Sequence, residues 1–400
     1  MRRFLENPSV DLDEMAASAA VRTSLATADR HVLAIQDTTS LRSDASGGGG
    51  LSLHAMIAVD ADDGALLGLV EARHLSRPGG KRGRRKAVAY EDKESRRWQQ
   101  GAQAAALVCG GARRVTVIAD RESDIYEAFA LAPTGVELLV RAAQDRSLEG
   151  GERLFATLDG LAEAGRQVLE LPARGGHKPR DVKMVVRWAK MDLVRPGSRP
   201  ARSGLPKTVS VTLVDVREVD PAPGEAVLHW RLITTIEVAS AEDAFAVSQL
   251  YRRRWAIEQL FRALKSEGFQ IEALRQTQDL PRQKLVTLLL IAAVIVQQLV
   301  HARDPVPGQT PRPITDVFRP EDVALVEACC ARVQGKTERQ KNPNPRGTLP
   351  YASWVCARLG GWNGYYGKPG PITMLRGWQT LQDAKLGWTL ANVQAAMKHL

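Results

Sequence analysis

One run of fifteen residues, 251–265, constrains the fold of this chain more than any other, because it lacks proline and glycine and repeats apolar residues at helical spacing. The apolar positions on one side of the predicted helix are Ile257, Leu260, Phe261 and Leu264. A helix turns by about 100° per residue, so these four form a single stripe that is suited to burial. The pattern predicts a helix that starts near Ala241 and continues through this run to about Gly268.

Four polar side chains form a second stripe beside the apolar one: Tyr251, Arg254, Glu258 and Lys265. On a continuous helix they lie within roughly 60° of one another, so one carboxylate stands among two cations and a phenol. Such a group can hold a metal ion through Glu258 and phosphate oxygens through the other three. The same spacing is also typical of an exposed helix face with an Arg–Glu ion pair. The helix alone leaves both interpretations open.

Two apolar runs elsewhere in the chain each lead into an aspartate. Residues 32–35 precede Asp37, and residues 115–119 precede Asp120. Continuous apolar runs of this length predict central strands that are covered on both faces, and open sheets bind ligands at the carboxyl ends of such strands. Two aspartates there, with a glutamate from an adjacent helix, would make a three-carboxylate site for a hard divalent cation. A single aspartate at a strand end is also typical of a cap or turn residue.

The order of the predicted elements divides the chain into five regions. Residues 31–144 alternate strands and helices, and residues 239–304 return to helices, so together they predict an α/β core in two parts. Between them, strand-like segments separated by Pro- and Gly-rich turns predict an all-β insertion over residues 145–238. A short helical region precedes the core at residues 1–30, and a helical C-terminal region follows it at residues 305–400.

Composition favours a nucleic-acid partner. Lys and Arg outnumber Asp and Glu by ten, and the isoelectric point is about 9.6, a balance that favours polyanions. Six cations lie within residues 77–86, which predicts either a solvated loop or one that orders on phosphates. No apolar leader follows Met1, and the longest apolar run, residues 285–296, is too short to span a bilayer. We therefore expect a cytoplasmic protein without a membrane partner.

At this point the motifs carry a family resemblance. The spacing Tyr-x2-Arg-x3-Glu-x6-Lys of the polar stripe resembles the YREK signature of the insertion-sequence-four family of DDE transposases, the cut-and-paste enzymes of bacterial mobile elements. Gln-Asp-Thr-Thr-Ser at residues 36–40 resembles the family's first-aspartate motif, and residues 119–125 resemble its second. Leu-Gly-Gly-Trp at residues 359–362 and the Gly-Pro segment after it are also similar, so the likeness runs from about Leu5 to the C-terminus.

The resemblance implies a fold and a metal site. The fold is a ribonuclease-H-like mixed sheet flanked by helices, with a β-rich insertion before the glutamate. The implied metal ligands are Asp37, Asp120 and Glu258, which would hold two Mg²⁺ or Mn²⁺ ions. A pair of such ions can activate a nucleophile and stabilise the leaving oxygen of a phosphodiester.

The resemblance also implies contacts with DNA. Tyr251, Arg254 and Lys265 would grip DNA near the transposon end. Trp230 would stack on a flipped base, or else it is a core aromatic of its strand. Arg141 matches a family position near the DNA backbone, and it is equally compatible with a surface ion pair. The expected partners are transposon ends and target DNA, held by a homodimer that forms on two paired ends.

The implied reaction is cut-and-paste transposition: strand nicking, hairpin formation, hairpin opening and strand transfer at one site. Family members carry an N-terminal domain that reads the end sequence, and the 36 residues before Asp37 are too few for it. This departure raises an alternative hypothesis, a truncated, non-catalytic inhibitor that pairs with the full-length transposase. A metal-dependent DNA nuclease of the same fold is a further alternative.

Overall fold

The computed structural model describes residues 2–41, 51–76, 93–171, 179–197, 204–222, 224–273, 278–305 and 308–397. The strands are β1 (His31–Leu41), β2 (Leu51–Asp60), β3 (Leu66–Ser76), β4 (Arg114–Ala119), β5 (Val136–Arg141), β6 (Gly165–Leu171), β7 (Arg180–Val194), β8 (Thr208–Glu218) and β9 (His229–Thr234). The helices are α1 (Arg2–Glu6), α2 (Leu12–Thr27), α3 (Arg97–Val108), α4 (Tyr126–Ala130), α5 (Leu154–Gly160), α6 (Ala241–Arg252), α7 (Trp255–Lys265), α8 (Asp279–Ala302), α9 (Val323–Val333), α10 (Leu349–Leu359) and α11 (Pro371–Met397). The basic stretch at residues 77–86 lies outside the described residues.

The chain divides into two compact units. The first comprises Met1–Ala28, Thr39–Gly79 and Ala256–Leu400, and the second comprises Asp29–Thr38 and Gly80–Trp255. Strand β1 runs through the division, so it has residues in both. Strand order is β3-β2-β1 in the first unit and β1-β4-β5-β9-β8-β7-β6 in the second, which makes a mixed sheet of nine strands within the described residues.

In the second unit, β1, β4 and β5 are parallel neighbours. The next strand in the sheet is β9, which pairs antiparallel with β5, and β8, β7 and β6 follow, each antiparallel to its neighbour. The strand-rich insertion therefore extends the core sheet. The predicted class, an α/β fold with a mixed sheet flanked by helices, is confirmed, and the order β3-β2-β1-β4-β5 agrees with the ribonuclease-H-like core that the resemblance implies.

The first unit contains the antiparallel hairpin of β2 and β3, whose strands are joined by an Asp-rich turn. The Asp60 carboxylate accepts the backbone N–H of Asp62 at 2.9 Å, and the N–H of Gly64 donates to the Asp60 carbonyl at 3.0 Å. Helix α8 packs against β3 and against α2, α10 and α11. Among the described residues, α8 is the one helix long and apolar enough to cross a membrane, and half of its apolar stretch is buried within the protein.

The continuous helix predicted from Ala241 to about Gly268 is wrong, because α6 ends at Arg252 and α7 begins at Trp255. The N–H groups of Arg253 and Arg254 donate to carbonyls only three residues earlier, each at 3.0 Å, so the last turn of α6 tightens and ends. The local sequence contains no helix breaker. An ion pair between the Arg254 and Asp37 side chains holds the turn, so tertiary contact overrides helix propensity here.

Candidate functional site

The register of three parallel strands aligns three of the predicted site residues. Ile35 of β1 pairs with Ile118 of β4, so the same register continued by two residues sets Asp37 opposite Asp120. Ala119 pairs with Val140 of β5, so Asp120 is followed across the sheet by Arg141. Paired residues on neighbouring strands face the same side of a sheet, about 5 Å apart. Two carboxylates and a guanidinium therefore lie on three neighbouring strands, with Asp120 and Arg141 where β4 and β5 end. Asp37 lies within β1, which continues to Leu41, so the prediction that this strand ends at Asp37 is wrong.

Local backbone bonds fix both aspartates. The Asp37 Oδ1 accepts the N–H of Thr38 at 2.7 Å, and the Asp120 Oδ1 accepts the N–H of Glu122 at 2.9 Å. Asp120 lies where β4 gives way to a single 3₁₀ turn, whose Ser123 hydroxyl donates to the Asp120 carbonyl at 2.9 Å. Asp120 thus uses one oxygen to stabilise the turn that follows β4, whereas Asp37 uses one oxygen to accept the N–H of the next residue within β1.

Arg254 neutralises Asp37. Its Nη1 lies 3.1 Å from the Asp37 Oδ2, and both side chains are more than 80 % buried. The guanidinium carbon of Arg254 is also 6.0 Å from the centre of the Tyr251 ring, within range of a cation–π contact. Charge-assisted bonds to a mostly buried carboxylate are stronger than surface ion pairs, so this contact defines where the Asp37 side chain points.

Tyr251 stands between the two arginines. Burial raises the pKa of the Tyr251 phenol, the positive charges of Arg254 and Arg141 oppose that rise, and Asp120 adds to it. Burial likewise lowers the pKa of the Arg141 guanidinium, and its hydrogen bond to Tyr251 works in the other direction. The phenol therefore stays neutral and can donate a hydrogen bond to a phosphate oxygen, whereas the two guanidinium groups supply positive charge.

Arg141 also links the core to the insertion. Its Nη2 donates to the His229 carbonyl at 3.0 Å, next to Trp230 on β9. Trp230 pairs with Val216 of β8 and is partly exposed, so it is not a fully buried core aromatic. The His229 imidazole Nε2 lies 2.6 Å from the buried Asp215 carboxylate, which fixes the residue before Trp230.

Glu258 and Lys265 belong to the first unit, on α7. Glu258 is partly buried, and the Lys265 Nζ lies 3.7 Å from the Glu272 carboxylate. The sequence had predicted that these two residues share a helix face with Tyr251 and Arg254. That prediction is wrong, because α6 and α7 are separate helices. Over the described ranges, no group of three or more His, Cys, Asp or Glu side chains is placed to hold a metal ion. Carboxylates on neighbouring parallel strands, such as Asp37 and Asp120, nevertheless suit a hard divalent cation.

Sequence reasoning missed two residues that brace the aspartate motifs. Arg97 of α3 is buried and donates to the Thr38 hydroxyl at 3.2 Å and to the Glu122 carboxylate at 2.8 Å, so it joins the strand residue after Asp37 to the turn after Asp120. Its side chain also donates to the Glu94 carbonyl at 3.0 Å. An arginine in an ordinary amphipathic helix carries no local signal of such a role.

Asp124 is the second missed residue. It accepts the N–H groups of Ala143 and Gln144, each at 2.7 Å, and the Arg146 Nε at 2.8 Å. The segment after β5 is therefore tied to the motif that holds Asp120. One signal for this role was available in the sequence, a second acidic residue four positions after Asp120. Asp124 is buried, and this burial distinguishes its structural role from the role proposed for Asp120.

Comparison with known proteins gives two findings. Residues 173–295 match the family model described as a transposase DDE domain, which supports a relation to DDE transposases. The matched span holds Trp230, Tyr251, Arg254, Glu258 and Lys265, and both predicted aspartates precede it. The crystal structure of Endonuclease V from Ciona intestinalis, in complex with a 24mer DNA containing an inosine followed by a ribo-adenosine, is similar at 10% identity and a TM-score of 0.24, over 59% of this chain and 87% of that chain.

Proposed function

We propose that this protein is a DNA transposase that nicks DNA at transposon ends, forms a hairpin and transfers the freed strand to target DNA. The observation that supports the proposal is the parallel register of β1, β4 and β5, which, continued by one or two residues, aligns Asp37, Asp120 and Arg141 on neighbouring strands. The family match over residues 173–295 supports a DNA endonuclease or transposase activity in general. The insertion-sequence-four subtype rests on the motif resemblance.

The proposed metal ligands are Asp37, Asp120 and Glu258, all oxygen donors suited to Mg²⁺ or Mn²⁺. Two bound ions would supply activation of the attacking oxygen and stabilisation of the leaving oxygen. Arg254 forms an ion pair with Asp37 in the absence of metal ions. Metal ions bound at Asp37 would compensate the negative charge of its carboxylate, so the Arg254 guanidinium would then be available to a DNA phosphate.

The remaining polar residues would position DNA. Arg141 and Tyr251, which already contact each other, would bind backbone oxygens beside the scissile phosphate, and Lys265 would add a further phosphate contact. Trp230, partly exposed on β9, would stack on a base extruded next to the hairpin. We propose that a homodimer assembled on two transposon ends carries out these steps in the cytoplasm.

Nicking of supercoiled plasmid DNA that carries the transposon ends tests the proposal. Asp37→Asn, Asp120→Asn and Glu258→Gln should each abolish Mg²⁺-dependent nicking, whereas the exposed Glu149→Gln should nick like the wild type. Retained nicking in any one of the three variants would reject the ligand role of that residue.

The products distinguish the alternatives. Hairpins and joined DNA support transposition, and cutting without joining indicates a nuclease of the same fold. An inactive wild-type chain that blocks a full-length transposase indicates an inhibitor.

A further inference from the structure

Two loops of the first unit form a basic surface, and the proposed reaction assigns no role to any of its residues. They are residues 334–348, between α9 and α10, and residues 360–370, between α10 and α11; together we name them the two-loop surface. Its exposed charged side chains, all in the described part of the chain, are Lys336, Glu338, Arg339, Lys341, Arg346 and Lys368. Five of the six are cations, so the surface attracts anions.

Aromatic rings are exposed among these cations. Tyr366 is 82% exposed and Tyr365 is 41% exposed, and Trp362 is partly exposed. Exposed aromatic rings leave apolar area in water, and their clustering on one surface marks an interaction site. Cations interleaved with aromatic rings are the composition of surfaces that bind single-stranded nucleic acid.

Hydrogen bonds hold the second loop in one shape. The Arg358 guanidinium donates to the Val333 carbonyl at 3.0 Å and to the Trp362 carbonyl at 2.8 Å. The Trp362 indole N–H in turn donates to the Gly367 carbonyl at 3.1 Å. These bonds close the loop around Tyr365 and Tyr366, so the backbone that carries the two exposed rings has a defined conformation.

Two contacts fasten the loops to each other. The Thr337 and Tyr365 hydroxyls are 2.7 Å apart. Gly364 has a φ of +88°, and a Cβ at this position would lie 2.9 Å from the Arg339 carbonyl oxygen, so only glycine allows the loops to approach this closely. A preformed surface of this kind loses little conformational entropy on binding.

We propose that the two-loop surface is a binding site for single-stranded DNA. Its cations would contact phosphates while Tyr365 and Tyr366 stack on bases, which is possible only where the bases are unpaired. Lys341 and Lys368 currently pair with Glu338 and Asp304 at 2.6 and 2.8 Å, and such exposed pairs exchange readily for phosphate. That the strand is DNA rests on the proposed function; the surface itself rests on its own charge and geometry.

Fluorescence anisotropy of the full chain with a labelled oligothymidine and with a duplex of equal length tests this site. The buffer contains EDTA, so that binding is measured without cleavage. Tyr366→Ala should weaken single-strand binding roughly five- to hundred-fold, and Tyr366→Phe, which keeps the ring, should bind like the wild type. Arg339→Ala should make the salt dependence shallower by about 0.7 in slope, whereas Arg166→Ala, an exposed cation on β6, should not change it.

Unchanged binding by Tyr366→Ala would overturn the proposal, and so would an equal loss in Tyr366→Phe or an equal loss on duplex DNA. If plasmid nicking fails in the wild type while Tyr366→Ala still weakens single-strand binding, the proposed function fails and the two-loop surface stands. The opposite pair of results removes the surface and leaves the proposed function.

Discussion

Asp120 and Asp124 lie four residues apart in one motif, and we predict that their substitutions separate function from stability. Asp124→Asn keeps the size of the side chain and exchanges one acceptor oxygen for an NH₂ group. Oδ2 accepts two backbone N–H groups, and Oδ1 accepts Arg146. Whichever way the amide turns, its NH₂ therefore faces donors that lose their acceptor.

The size of the effect follows from burial. The Asp124 side chain is 0% exposed and that of Arg146 is 9% exposed, so neither water nor a nearby surface group replaces the lost bonds. A buried donor without an acceptor costs about 1–3 kcal/mol, and breaking a buried ion pair by removing one charge costs about 3–5 kcal/mol. Both estimates describe the same substitution, so they are not added. We expect a loss of about 3–5 kcal/mol in the free energy of unfolding, which is a large share of the usual 5–15 kcal/mol.

Hydrogen–deuterium exchange in urea, followed on peptides that cover β4 and β5, measures this loss in the second unit. Asp120→Asn is the matched control, because the asparagine Oδ1 can still accept the Glu122 N–H within the short turn, so little stability should be lost. An Asp124→Asn loss below about 1 kcal/mol, or one equal to that of Asp120→Asn, would refute the reasoning.

Three further predictions concern other sites. Trp230→Ala should impair hairpin formation more than the first nick, by roughly five- to hundred-fold on end-containing DNA, with Trp230→Phe intermediate, and equal effects on both steps would exclude base stacking. Arg254→Ala should weaken duplex binding and make its salt dependence shallower by about 1 in slope, as measured by anisotropy in EDTA; an unchanged slope would mean that Arg254 contacts no phosphate. Burial lowers the pKa of His74 from 6.5 to about 4, so between these values the unfolded chain binds a proton that the folded protein does not. The free energy of unfolding should therefore fall as the pH drops through this window, and His74→Gln should reduce that fall in urea titrations at pH 7 and pH 4.5; identical pH dependence in both proteins would contradict it.

The strands that carry the aspartates were predictable because their signal is local. Four consecutive apolar residues before Gln36, and four apolar residues among the five before Asp120, indicate central strands, and each strand is found there. Arg97 gave no such signal, since its partners Thr38 and Glu122 are distant in sequence and each contact is a single hydrogen bond. Periodicity reports which face of an element is buried, not which polar group at its end meets another.

The break between α6 and α7 shows that a strong local pattern can also predict a wrong structure. Residues 251–265 satisfy every local rule for a continuous helix, and the turn at Arg253 and Arg254 follows from a partner more than two hundred residues earlier in the chain. Glu258 and Lys265 still lie on one helix, as predicted. Tyr251 and Arg254 instead reach Asp37 and Arg141 through the turn, a grouping that the helical wheel could not give.

In the insertion, the sequence pattern predicts the strands but not their arrangement, because alternating apolar and polar residues do not determine which strands are neighbours in the sheet. Arg141 of β5 pairs with Leu232 of β9, and the N–H of Ala142 donates to the Arg231 carbonyl at 2.8 Å. One further step in this antiparallel register sets Ala143 opposite Trp230. The Ala143 N–H is one of the two held by Asp124, so the carboxylate that braces the second aspartate motif also fixes the backbone facing Trp230. Asp124 thus links the motif that holds Asp120 to the backbone just after β5, the strand that neighbours the one carrying the tryptophan.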